Sequence, residues 1–120
     1  MATAKTVKIQ GTFEIIGADG TPEAKKVINS TSTFTEATQM FPQTIPGSQT
    51  NISLNFGGVA LAKRLYLKVS YPVTLKFNQN TDTGFSFGPG DGILMSDNGI
   101  TALFVSTGAN PTDVELIVVE

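Results

Sequence analysis

The chain of 120 residues is predicted to be all-β, a single β-sandwich of jelly-roll kind with about eight or nine strands. Three observations predict it. Short runs in which apolar and polar residues alternate fill the length of the chain. Turn signals built on 12 Gly and 6 Pro separate those runs, and no window holds the 3.6-residue period of an amphipathic helix. The one helix candidate, residues 59–63, is too short to carry a core.

The first strand is legible from Val7, where Val7, Ile9, Phe13 and Ile15 alternate with Lys8, Gln10, Thr12 and Glu14. Successive side chains of a strand point to opposite faces, so this stretch has one dry and one wet side. Gly11 interrupts the dry side and suggests a bulge, and Gly17 to Pro22, around Asp19 and Gly20, turns the chain. Residues 27–40 read as extended chain: Asn29, Ser30, Thr31, Ser32, Thr33 and Thr35 favour strand but define no buried face. Pro42, Pro46 and Gly47 are expected to form a connection, because proline donates no hydrogen bond to a central ladder.

The alternation sharpens beyond Thr50. Ile52, Leu54 and Phe56 face one way until Gly57 and Gly58; Leu65, Leu67, Val69 and Tyr71 repeat the pattern; Val73, Leu75 and Phe77 continue it after Pro72. Phe85 and Phe87 make a short strand, and Gly88 to Gly92 is a glycine-proline loop with neither the Lys-Ser/Thr pair nor the helix that a phosphate cradle needs. Residues 93–95, 100–106 and 114–119 complete the set, with Asp97, Asn98 and Gly99 as a hairpin signal. Length allows one domain, residues 7–120, preceded by a polar N-terminal arm of residues 1–6 that would order on a partner.

Composition excludes several functions. The chain has no His, Cys or Trp, which removes disulfides, thiolate chemistry and zinc sites of the usual N/S type. Net charge is -2, and Lys25, Lys26, Lys63, Arg64, Lys68 and Lys76 are scattered, so no basic field exists to neutralise phosphates and no nucleic-acid partner is expected. Residues 1–8 lack the apolar stretch of a signal peptide, and no run approaches a membrane span, so no membrane partner is expected. Ser and Thr nucleophiles lack a base to activate them, and the carboxylates are not paired as glycoside hydrolysis requires. The expectation is a protein that is not an enzyme and takes no cofactor.

Two readings of individual polar residues stay open. Asp91 and Asp97 sit beside Gly or Asn, and Asp82 two residues from Asn80 and Gly84, in turns, where side chains ordinarily cap their own backbone; convergence of the three on a calcium ion is the alternative. Tyr66, on the face opposite Leu65 and Leu67, is the one good stacking platform for a carbohydrate or receptor ligand, against plain cross-strand packing.

The surface composition points to assembly. Twenty-four Ser and Thr with seven Asn make a polar, weakly charged surface suited to contacts that desolvate few ions. Ile117 and Val119 fill the face that should be wet opposite Val114, Leu116 and Val118, so a subunit contact or a folded-over loop must cover it. Leu103 and Val105 are likewise apolar opposite Ala102 and Phe104. Leu103, Val105, Ile117 and Val119 are therefore the candidate interface of a homo-oligomer.

The segment Leu65-Tyr66-Leu67-Lys68-Val69-Ser70-Tyr71-Pro72-Val73-Thr74-Leu75-Lys76-Phe77, followed by a glycine-rich hairpin and the closing strand Val114-Glu115-Leu116-Ile117-Val118-Val119, resembles the C-terminal half of small bacteriophage virion proteins. The resemblance implies a structural protein of the virion, made in the host cytoplasm. In that group such chains are capsid decoration (cement) proteins that bridge capsomers, or tail, neck or baseplate parts. The partners it implies are the chain itself, as a dimer or trimer, and major capsid or tail proteins. A carbohydrate- or receptor-binding sandwich is the alternative function.

Overall fold

The computed structural model describes residues 4–35, 37–81 and 83–120, which form ten strands arranged in three antiparallel sheets. The chain is all-β, as its alternation predicts. It divides into two compact units, Met1–Thr35 and Glu36–Glu120, so the expected boundary after residue 6 is not where it divides. Lys5 and Thr6 already belong to a strand, and residues 1–3 of the expected arm lie outside the described residues.

The first unit is a two-stranded hairpin of β1 (Lys5–Ile16) and β2 (Pro22–Phe34), paired from Lys5↔Phe34 to Ile15↔Ala24 with one irregularity at Ile16. The turn is closed by its own polar groups: the Gly17 amide donates to the Thr21 carbonyl at 2.8 Å, and the Gly20 amide to the Gly17 carbonyl at 2.9 Å. The Thr21 amide donates to Asp19 Oδ1 at 2.9 Å, an Asx cap of the kind the turn sequence predicts, and Gly20 supplies the positive φ of 86°. The strands satisfy each other's main chain, and the Ser- and Thr-rich return offers no apolar side to a second layer. Hence the hairpin stands as its own sheet where a strand of one sandwich was expected.

The second unit holds two four-stranded sheets. One has the order β3 (Ala37–Ile45), β10 (Thr112–Val119), β5 (Ala62–Val69), β8 (Gly90–Ile100); the other β4 (Ile52–Ser53), β9 (Leu103–Thr107), β6 (Val73–Phe77), β7 (Phe85–Phe87). The pairing is nested: β3 with β10, β4 with β9, β5 with β8, β6 with β7. Inward residues of both sheets meet in one core, where Leu65, Leu67 and Val69 of β5 and Val114, Leu116 and Val118 of β10 join Val73 and Leu75 of β6 and Leu103 and Val105 of β9. Each such side chain contributes about 1.5–3 kcal/mol of burial.

Two connections expected from the sequence are strands instead. Pro42 lies within β3, at a sheet edge and at a register irregularity opposite residues 114–116, the setting in which a missing donor costs least. Residues 97–99 make no hairpin: β8 runs through them as an irregularity between Arg64↔Met95 and Ala62↔Ile100, with Gly99 at φ 70°. No helix among the described residues is long and apolar enough to cross a membrane.

Candidate interaction surfaces

The hairpin register sorts its side chains into two faces. Val7, Ile9, Phe13 and Ile15 share one face with Ile28 and Phe34, while Lys8, Gln10, Thr12 and Glu14 lie on the other with Thr31, Asn29 and Lys25. The dry face predicted from Val7 onward exists, but toward the turn nothing covers it. Phe13 is 67% exposed, Ile15 49% and Ile28 37%, and on the opposite face Ile16 and Val27 are 60% and 71% exposed. Single exposed apolar residues are ordinary; three on one face of a short hairpin and two on the other make it a candidate interaction surface. Sequence reasoning missed it because alternation shows that a strand has a dry face without showing what covers it. The tight Gly17–Thr21 turn followed by a Ser/Thr-rich return strand was the available signal.

The four residues expected at an interface separate. Leu103 and Val105 are completely buried and belong to the core of a single chain, which corrects their assignment to a subunit contact. The face to call wet on β9 is that of Phe104, because Ser106 shares it and its register neighbours Ser53 and Lys76 are polar. Val119 is also buried within the chain, at 5% exposure, beside Ala37 and Arg64. Ile117 alone keeps an outward place, half-buried on β10, which is a central strand between β3 and β5.

Ile117 is in register with Tyr66, and Tyr66 with Ile93, so an apolar row crosses the outer face of three strands. Ile93 and Met95, at 55% and 43% exposure, carry it to the sheet edge. Tyr66 is half-buried in this row, and its hydroxyl donates to Asp91 Oδ2 at 3.2 Å. Desolvation first, then the hydrogen bond to Asp91, raises its phenol above the ordinary value. Asp97 is 3.5 Å from Arg64 Nη1. Asp91 and Asp97 thus have separate partners, Asp82 lies outside the described residues, and no group of three or more carboxylates among the described residues could hold a metal ion.

A third feature is a cleft of about 220 Å³ between β7 and β8, the edge strands of the two body sheets. Its walls are Leu75, Phe77, Phe85, Phe87, Ile93 and Leu94, and Phe77 and Phe85 stack with ring centroids 5.5 Å apart. Gly92 lets the Phe87 ring lie against the strand, since a Cβ there would stand 2.9 Å from Phe87 Cε2. The lining is almost wholly apolar and holds no acid, base or nucleophile, so the cleft suits an apolar group rather than a reacting one.

No protein-family model, curated protein or solved structure matches the chain.

Proposed function

We propose that this chain is a non-enzymatic structural protein of a bacteriophage particle, acting as a capsid decoration protein that bridges neighbouring capsomers and associates with itself. The observation that carries the reading is the hairpin: Phe13, Ile15 and Ile28 on one face and Ile16 and Val27 on the other are exposed, while the core cluster lies wholly within residues 36–120. Two strands alone are marginal in water, and an apolar face of this kind gains its stability from a partner.

The nested pairing of β3 to β10 supports a jelly-roll reading of the body, in which the chain folds as one long hairpin wrapped into two sheets. A jelly roll and a hairpin with exposed apolar side chains suit a protein that grips a shell without chemistry. The carbohydrate-binding reading draws less support, because Tyr66 is partly covered and its hydroxyl is committed to Asp91.

Immunogold labelling of particles purified from the lysate in which the protein is made tests the proposal. Label over the shell supports decoration, label over the tail or baseplate moves the protein to that position, and unlabelled particles overturn the virion reading.

A further inference from the structure

The chain carries a knob and a hole that fit each other. Phe13 projects from the hairpin with two-thirds of its surface exposed, and the cleft between β7 and β8 offers about 220 Å³ lined by aromatic and aliphatic side chains. An apolar cavity of about 150 Å³ is enough to take up benzene, so the cleft has room for a phenyl ring.

Charge matches as well. Residues 1–35 hold four lysines against three acidic residues, and residues 36–120 hold four basic against seven acidic residues. Lys26 stands directly opposite Phe13 in the hairpin register, and Asp91 is next in the chain to Gly92, which lines the cleft. Asp91 lies outside the lining itself, on the outer face of β8 beside Ile93, where it accepts from the neutral Tyr66 hydroxyl, and neither Lys26 nor Asp91 has an ion pair among the described residues. Lys68 is the basic residue across from Asp91 on β5, and it forms no such pair.

We propose that Phe13 of one copy inserts into the β7–β8 cleft of a second copy, with Lys26 meeting Asp91 beside it. The inference rests on the reading of this chain as an assembly protein and names the contact through which it assembles. The two surfaces differ, so the contact is head-to-tail, and repetition closes a ring or extends a row of copies. Phe85 and Ile93, exposed at the mouth, are covered when the ring enters.

Light scattering on the full-length chain over a hundredfold dilution reads the outcome. The wild type is expected to be multimeric, and Phe13→Ser, at a site too exposed to affect folding, to raise the dissociation constant at least tenfold. Lys26→Glu should weaken association, and adding Asp91→Lys to it should restore part of the loss. Ile93→Lys, at the exposed mouth, should also give monomers. An equimolar mixture of the Phe13→Ser and Ile93→Lys chains should form pairs and nothing larger, because one retains only the cleft and the other only the knob. A wild type that stays monomeric, a Phe13→Ser chain that keeps its mass, or a mixture that does not pair overturns the contact. Particle labelling is read separately: labelled particles with a monomeric chain leave the virion reading standing without this contact, and a head-to-tail assembly absent from particles does the reverse.

Discussion

Asn78 and Thr101 are tied together twice: Asn78 Oδ1 accepts from the Thr101 amide at 2.8 Å and from its hydroxyl at 3.1 Å. The Asn78 amide donates in turn to the Ala102 carbonyl at 2.9 Å, and the residue sits at φ 66°, which asparagine tolerates better than most. The end of β6 is thereby fixed to the link between β8 and β9. Asn78→Ala should cost about 2 kcal/mol, combining the lost hydrogen bonds with left-handed strain. Asn78→Gly should recover about 1 kcal/mol of it. Denaturant midpoints of the two variants check the split; equal losses would mean that the backbone conformation contributes nothing.

The opposite roles of β9 and β10 residues give a second comparison. Leu103→Ala should lower stability by about 3 kcal/mol, because a completely buried leucine leaves a cavity. Ile117→Lys, on the outward row, should cost about 1 kcal/mol at most, the scale of a cross-strand pair. Thermal unfolding of both chains tests this, and a Leu103→Ala chain as stable as the wild type would return that residue to the surface.

Amide exchange should distinguish the two units. The main-chain bonds of β1 and β2 are covered by few buried side chains, so in dilute solution they should exchange at least tenfold faster than those of β10, whose inward residues are fully buried. Mass-resolved hydrogen exchange reports each strand. Protection of residues 5–34 that appears only at high concentration would mark the hairpin as the associating element.

Tyr66 and Asp91 predict an alkaline effect. The folded-state phenol lies above its unfolded value of about 10, first through desolvation and then through Asp91. Its contribution to stability is therefore present below the unfolded value and is lost as pH rises through the folded one. Asp91→Asn should lower the transition without returning it to the ordinary value, since desolvation remains. Phenolate absorbance of the two chains reads this directly.

Much of the body is legible in the sequence. Leu65 to Val69 and Val73 to Phe77 alternate without a break, and they form β5 and β6 with the predicted residues inward. The errors have specific causes. Ile117 and Val119 look redundant because β10 is a central strand whose outer side is largely covered within the chain, and periodicity of one strand says nothing about its neighbours. Leu103 and Val105 were turned outward because Phe104, on the true outer face, is itself apolar. The Asn98-Gly99 pair signals positive φ correctly, yet it serves an irregularity in β8 rather than a turn. Residues 29–33 define no buried face, and β2 pairs with β1 alone among the described strands. The cleft was invisible because its walls, on the consecutive strands β6, β7 and β8, belong to two different sheets, and alternation along a strand does not show which sheet it joins.

Gly47 supplies a further test. A Cβ there would press into the Ala109 carbonyl group, with its carbon only 2.9 Å away, and the adjacent Ser48 amide donates to the Gly108 carbonyl at 2.6 Å. Backbone meets backbone, so no side chain can rotate aside. Gly47→Ala should destabilise by about 1–3 kcal/mol, measured by thermal unfolding.

The nested pairing also governs how the body comes into being on the ribosome. Ala37, at the start of β3, is matched with Val119, at the far end of β10, and β10 lies between β3 and β5. Until β10 has been synthesised and has left the exit tunnel, β3 has no neighbour in its sheet, β5 lacks a partner on one side, and the sheet of β9 lacks the central strand of its opposite wall. Folding must then wait for almost the whole chain and should be slow, dominated by contacts distant in sequence. A nascent chain stalled before residue 112 would leave Leu65, Leu67 and Val69 open to chaperones, whereas the β1–β2 hairpin, complete within the first 34 residues, can pair long before the body exists.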